Sequence, residues 1–252
     1  MPIVPPPSDW ELPNPRDFPH DDEGLIAIGG DLEPGTLISA YRMGLFPMPL
    51  TLDKNARLNS IGWWSPNPRG ILPLDGLHVS RSLKRSARRY EIRVDTAFDE
   101  VIEGCADPNR PHGWINNDFK HAYRTLHQMG WVHSFEAWSL DDGELAGGTY
   151  GIAIGSLFAA ESMFHYRTDA GKVAVAGMVE ILNENGFDLL DIQWTMENNA
   201  ALGTIEIPRQ EFLARLELAV ERTSQPLGSF IKPRLLEFVT SNREGLGGTL
   251  PL

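Results

Sequence analysis

From about residue 70 the apolar positions follow two rhythms, period two and period 3.6, and the change-overs mark the elements. Residues 90–94 read as a short strand. Phe98, Val101, Ile102 and Cys105 then recur at helical spacing behind Asp95 and Thr96, a pair suited to capping, so Cys105 belongs to a core stripe and not to a nucleophile. Asn116 or Asn117 caps a second helix with Phe119, Ala122, Tyr123, Leu126 and Met129 on one face, stopped by Gly130. Residues 132–140 and 144–154 read as strands around the turn Asp141-Asp142-Gly143, followed by a third strand over 157–164, so the sheet here is expected to be antiparallel. A helix over 170–185, a strand reaching Gln193, and an amphipathic helix over 209–222 with Phe212, Leu213, Leu216 and Val220 inward complete the pattern. This order predicts a mixed α/β (α+β) layered fold with a mostly antiparallel sheet.

The first 69 residues break that rhythm and read as a smaller N-terminal domain. Residues 2–19 are proline-rich, which suits an extended arm. Gly29-Gly30-Asp31 matches neither phosphate-loop spacing and reads as a turn feeding a helix over 34–43. Trp63-Trp64-Ser65-Pro66-Asn67-Pro68-Arg69 forms an aromatic and proline cluster, in which tryptophans serve more often as core anchors than as ligand platforms. The expected division is 1–69, then 70–222 as the main domain, then 223–252 as a partly flexible C-terminal extension in which 230–239 packs.

The chemistry concentrates in residues 186–203. Asp191 and Gln193 stand at i and i+2 of an apolar strand, a spacing that places both on one face. A carboxylate in such a setting costs desolvation energy unless it is paired or used. The structural alternative is a buried Asp that caps a turn with Gln as its partner.

Composition narrows the classes. The chain has 252 residues, 42% hydrophobic and 22% charged, enough to bury a full core. No run approaches a membrane span and the N-terminus lacks the basic and apolar regions of a signal peptide, so a cytoplasmic protein with no membrane partner is expected. One cysteine excludes an intrachain disulfide, and the seven scattered histidines lack metal-ligand spacing, so no metal is expected. The formal net charge of -12 disfavours a nucleic-acid partner as a whole. Locally it is reversed. Behind Ser80 as N-cap, Arg81, Lys84, Arg85 and Arg88 share a helical face, the one place suited to docking phosphates, although such a stripe is usually a solvated surface.

Nine short motifs in order then carry a resemblance. They are Gly29-Gly-Asp-Leu, Gly44-Leu-Phe-Pro, the Trp63–Arg69 cluster, His78-Val-Ser-Arg-Ser-Leu, Trp114-Ile, His133-Ser-Phe-Glu-Ala-Trp, Gly147-Gly-Thr-Tyr-Gly, Glu161-Ser-Met-Phe, and Asp191-Ile-Gln followed by Leu202-Gly. Together they resemble the leucyl/phenylalanyl-tRNA-protein transferase family over most of the chain. The resemblance implies a GNAT-like acyltransferase domain. It also implies transfer of leucine or phenylalanine, and methionine, from aminoacyl-tRNA to the N-terminal amine of proteins beginning with Arg or Lys, which marks them for N-end-rule degradation. It implies no cofactor. Trp63, Trp64, Trp114, Met48, Thr149 and Phe158 become candidates for substrate binding. Met48 stands where the family carries an aromatic residue, and Thr149 where it commonly carries Met.

An aminoacyl ester is already activated, so alignment of the amine and removal of its proton are the main tasks. Gln193 cannot ionise. Polarised by a hydrogen bond from its amide to Asp191, its carbonyl would orient the attacking amine. Glu161 is the candidate for binding the acceptor's cationic group, or else a buried charge paired with Arg or Lys. Two other classes stay open: a CoA-dependent GNAT enzyme, for which the entry at residues 168–173 has one Gly and an Asp, and a noncatalytic tRNA- or degron-binding module.

Overall fold

The computed structural model describes residues 2–18, 24–51, 59–110, 113–195, 197–228 and 231–239. The chain begins with β1 (Leu25–Ile28), α1 (Pro34–Arg42), β2 (Phe46–Thr51), β3 (Asn59–Trp64) and β4 (Arg69–Ile71). Then come α2 (Arg81–Ala87), β5 (Tyr90–Val94), α3 (Phe98–Cys105), α4 (Asn117–Gln128), β6 (Val132–Ser139), β7 (Leu145–Ile154) and β8 (Leu157–His165). It ends with α5 (Ala170–Glu184), β9 (Leu189–Gln193), α6 (Glu197–Ala200), β10 (Ile205–Ile207) and α7 (Arg209–Glu221).

The fold is mixed α/β with a small N-terminal domain ahead of the main one. β1, β3 and β2 form a three-stranded sheet in that order, and the main sheet runs β10-β4-β9-β8-β7-β6-β5. Every pairing is antiparallel except β8 with β9, which α5 joins by the crossover that parallel neighbours require. Pro47 and Pro49 are accommodated because β2 is an edge strand, where a missing N–H need not leave a partner unsatisfied. β4 and β10, three residues each, were too short to announce themselves by alternation.

Alternation along the strands divides the core between the two faces of the main sheet. Leu157, Ala159 and Leu189 face α1, α3, α4 and α7, whereas Phe158 and Leu190 face α2 and α5. The helix faces fall where the periodicity puts them: Phe119, Ala122, Tyr123 and Leu126 are buried, as are Phe212, Leu213 and Leu216, while Met129 and Val220 pack partly buried. Asn116 caps α4, accepting from the N–H groups of Asp118 and Phe119. The α3 cap differs from expectation. Asp95 and Thr96 do not cap it; Glu136 of β6, fully buried, accepts from the N–H groups of Thr96 and Ala97 at 2.9 and 3.0 Å. Asp95 turns instead to His133 Nδ1 and the Ser134 N–H.

The segments before β1 and after α7 both dock on the fold. The proline-rich arm is extended and docked: Ile3 N–H donates to Met129 O, Trp131 Nε1 donates to Ile3 O, and Ser8 Oγ lies 2.8 Å from Thr36 Oγ1. The arm's last predicted residue, Pro19, lies outside the described residues. Beyond α7, Arg234 forms a bridge to Ile92 of edge strand β5, and Leu236 and Val239 are buried against α5. Phe230 and residues 240–252, with the predicted flexible end, lie outside the described residues.

At Gly35 the arm passes so closely that an added Cβ would sit 2.1 Å from Pro6 O. Gly35→Ala should therefore displace the arm and cost about 1–3 kcal/mol. The expected readouts are a lower thermal midpoint and faster proteolysis ahead of residue 18.

Candidate active site

β8 and β9 pair only through Leu157↔Leu189, Phe158↔Leu190 and Ala159↔Asp191, and no pairing follows that point. Where they part, the backbone is irregular on both sides. On β8 the register steps from Tyr150↔Ser162 to Gly151↔Ala160, which leaves Glu161 as the extra residue of a bulge. On β9 it steps from Gly70↔Gln193 to Ile71↔Asp191, which leaves Ile192 unpaired, and Gln193 takes φ 60. Bulges re-aim side chains. Here they turn Glu161 and Gln193 toward each other.

Asp191, Gln193 and Glu161 are thus brought together, though not with the predicted bonds. Asp191 is 1% exposed and takes a bidentate pair from Arg69, Nε to Oδ1 at 2.8 Å and Nη2 to Oδ2 at 2.6 Å. It accepts the Gln193 backbone N–H at 3.0 Å and not the side-chain amide. The Gln193 Nε2 points to Glu161 Oε1 at 3.5 Å. The i, i+2 argument failed because a bulge and a left-handed residue intervene between the two side chains.

Among the described residues Glu161 is not paired with Arg or Lys. Tyr41 of α1 and Tyr123 of α4 donate to its oxygens at 2.6 and 2.7 Å, and the two hydroxyl oxygens lie 2.7 Å apart. Each hydroxyl carries one hydrogen, so an ionised carboxylate leaves three short contacts served by two hydrogens. A protonated Glu161 supplies the third. The electrostatics agree: burial raises the carboxyl from 4.5 to about 7, with the nearby Asp191 charge adding to the rise and the tyrosine hydrogen bonds opposing it. Burial and the Glu161 charge push both tyrosines well above 10.

The remaining candidates separate into surface and core. Trp63 is 1% exposed with its Nε1 on Gly29 O, and so anchors the N-terminal sheet with no face free for a ligand. Phe158 is fully buried against Phe135 and Phe187 on the α5 side of the sheet, which removes it from the cleft. Thr149 is 2% exposed and spends its hydroxyl on Ser162 O. Trp64, Trp114 and Met48 are partly buried. Trp64 meets Trp194 edge-on, and Trp114 meets Phe119 likewise. A cavity of about 240 Å3 lined by Pro49, Ser60, Ile61, Asn116, Asp118, Phe119 and Leu32 adjoins Met48 along the chain and Phe119, the ring partner of Trp114.

Arg81, Lys84, Arg85 and Arg88 all lie exposed on α2 and its C-cap, without ion-pair partners among the described residues, and Ser80 caps the helix as expected. Their helix packs on the α5 side of the sheet, opposite the layer that holds Tyr41 and Tyr123. Among the described residues no group of three or more His, Cys, Asp or Glu could hold a metal, and burial raises the Cys105 thiol to about 12.

Sequence reasoning missed Arg69, Tyr41, Tyr123 and Trp194. One signal was present: Tyr123 sits in an inward stripe, and a buried tyrosine needs a partner for its hydroxyl.

The family model described as Leucyl/phenylalanyl-tRNA protein transferase matches residues 71–217, and that of its N-terminal domain matches residues 30–67. A leucyl/phenylalanyl-tRNA–protein transferase of Pseudoalteromonas atlantica is 46% identical over 83% of this chain and 88% of its own. That of Aromatoleum aromaticum is 45% identical over 79% and 85%, and that of Anaeromyxobacter sp. strain K 45% over 84% and 92%. The solved structure described as L-PGS from Bacillus licheniformis aligns with 74% of this chain and 61% of that one at TM-score 0.37 and 12% identity, too slight a likeness to carry an argument.

The raised Glu161 carboxyl has a stability consequence. Between pH 4.5 and about 7 the folded protein holds a proton that the unfolded chain has released, so this group's contribution is full below 4.5 and is lost as the pH rises through about 7. Thermal midpoints of wild type against Glu161→Gln across that window should show a decline in the former that the latter lacks.

Proposed function

The chain belongs to the leucyl/phenylalanyl-tRNA protein transferase family, and from that membership we propose that it moves leucine, phenylalanine or methionine from aminoacyl-tRNA to the N-terminal α-amine of proteins beginning with Arg or Lys, marking them for N-end-rule degradation in the cytoplasm. The observation that carries the mechanism is the meeting of Glu161 and Gln193 where β8 and β9 part.

With its Nε2 directed at Glu161, Gln193 has a carbonyl oxygen with no hydrogen-bond donor among the described residues, able to accept a hydrogen bond from the attacking amine and orient its lone pair. Asp191 holds the Gln193 backbone in its left-handed turn and is itself fixed by Arg69. The amine nitrogen attacks the ester carbonyl, the bond to the ribose oxygen breaks, and the proton lost by the amine is balanced by one gained at that oxygen. A carboxyl poised at about 7 suits Glu161 to take that proton and return it. Its oxygens are engaged by two hydroxyls, which favours this role over binding the acceptor's cation.

The cavity beside Met48 and Phe119 is the proposed place of the terminal adenosine, and Trp64 and Trp114 the partly exposed rings beside the substrate. The α2 cations are proposed to hold acceptor-stem phosphates, since base edges of A-form RNA are hard to reach. Because α2 lies on the α5 side, the single-stranded 3′ end must cross the end of the sheet to reach Glu161. A CoA site is disfavoured by Asp169, a carboxylate at the N-cap of α5 where a pyrophosphate would need to sit.

In a transfer assay with charged tRNA and an Arg-initiated peptide, Gln193→Ala should lower kcat roughly a hundredfold with tRNA affinity retained. Normal turnover would remove Gln193 from the mechanism. Arg85→Ala combined with Arg88→Ala should weaken tRNA binding and reduce the slope of log affinity against log salt by about two at most. Wild-type affinity and slope would return α2 to an ordinary solvated face.

A further inference from the structure

The reading above puts RNA phosphates on α2 and the reacting ester at Gln193, two points that belong to different parts of the fold. A misplacement of about 1 Å between them can cost about a hundredfold in rate, so the two have to be held in step. The chain past Gln193 supplies the means. It turns at Trp194, passes through α6 and returns to the sheet as β10, and before β10 it lies against the residues that lead into α2.

His78 is the point of contact. Its backbone N–H donates to Leu202 O at 2.9 Å, and its Nδ1 lies 3.1 Å from Ala201 O. A carbonyl oxygen only accepts, so Nδ1 carries the hydrogen. The two backbones are pressed together here: a Cβ on Gly203, at φ 94, would sit 2.2 Å from Gly76 O, and Leu202 is 2% exposed in the core layer against which Leu77 and Val79 pack. In one direction the contact runs back to the site, since the Leu202 N–H donates to Asn199 O at 2.9 Å and Asn199 Nδ2 donates to Trp194 O at 3.3 Å, next to Gln193. In the other direction Val79 is followed by Ser80, the N-cap that accepts the Leu83 N–H at 3.1 Å, and Arg81 opens the cationic face. The far end of α2 is latched as well, with Ser86 Oγ donating to Asp169 Oδ2 at 2.6 Å ahead of α5. α2 is thus held at both ends, at its start by the loop that leaves Gln193. The His78 ring is exposed and a solvent-facing bond adds little to folding, while Leu202 and Gly203 already seat the loop, so stability does not call for the imidazole.

Resting on the aminoacyl-transfer reading and on α2 as the helix that holds the RNA, we propose that His78 is a positioning residue that ties α2 to the loop leaving Gln193, so that RNA seated on α2 brings its ester into line with the Gln193 carbonyl. His78 touches neither the RNA nor the ester. It acts through the loop.

The test follows transfer to an Arg-initiated peptide from two donors, leucyl-tRNA and a leucylated CCA trinucleotide, which carries the ester but none of the stem phosphates assigned to α2. With leucyl-tRNA, His78→Ala should lower kcat about tenfold at unchanged KM for the donor, whereas His78→Asn, whose Nδ2 stands where Nδ1 does, should keep the wild-type value. With the trinucleotide all three proteins should share one kcat. His78→Gln, whose amide sits one carbon farther out, takes the place of His78→Ala if that variant does not fold. Equal losses with the two donors make His78 a plain support of the loop and overturn the link. Unchanged rates with both donors overturn it too, as does a raised KM for leucyl-tRNA at unchanged kcat, which would make His78 an RNA contact. A wild type that uses leucyl-tRNA and not the trinucleotide leaves the decision to the tenfold loss and its rescue by His78→Asn. Wild type inactive with both donors overturns the transfer reading, and the link with it.

Discussion

The structure around the cleft depends on one buried ion pair. The Arg69 and Asp191 side chains are 1% and 2% exposed, and every part of the guanidinium is engaged: two bonds to Asp191, one from Nη1 to Gly44 O, and ring faces of Phe46 and Phe212 within 5 Å. Five separate pieces of chain, the turn after α1, β2, β4, β9 and α7, therefore meet at one side chain. Losing one partner of such a pair costs about 3–5 kcal/mol, whereas an apolar replacement of both can be neutral, so stability alone does not explain it. What an apolar pair could not do is hold the Gln193 N–H, and with it the left-handed turn that aims the amide at Glu161.

The cleft itself is an exercise in irregularity placed on a regular sheet. The parallel strands run together for three residues and then part, and the two bulges fall at that point. The carboxyl they expose is neither a free charge nor a salt-bridge partner but a member of a hydroxyl ring short of one hydrogen. Burial, helped by the nearby Asp191 charge, brings its ionisation near neutrality against the opposing pull of the two hydroxyls, and the tyrosines that hold it come from the small domain's helix and from α4.

Much of this was legible in the sequence where the physics is local. The strands and helices from residue 90 onward, apart from the short α6 and β10, the caps at Ser80 and Asn116, and the apolar faces of α4 and α7 follow from periodicity and side-chain reach. Asp191, Gln193 and Glu161 do lie together, but not through the bonds that strand spacing suggests, because that spacing assumes a regular backbone that β8 and β9 do not keep. The α3 cap was misread since its donor acceptor match is Glu136, forty residues away, and Trp63 and Phe158 were misplaced because motif membership does not distinguish a ring that lines a site from one that supports it. Arg69 was hidden for the same reason: its partners lie at residues 44, 46, 191 and 212, and no window along the chain contains them.

The docked N-terminal arm carries a consequence for how the molecule is made. Ile3 leaves the ribosome early, yet its partners Met129 and Trp131 follow more than a hundred residues later, a delay of order ten seconds at ordinary rates of synthesis. Arg16 waits longer still for Glu217. Throughout that interval the Ile3 backbone and the Arg16 side chain lack their partners, and the stiff prolines at 5–7 hold the segment extended and keep it from collapsing onto whatever emerges next. Read this way, the arm is translated well ahead of its partners and is among the last parts to be fastened, a strap drawn tight only after the sheet beneath it has formed.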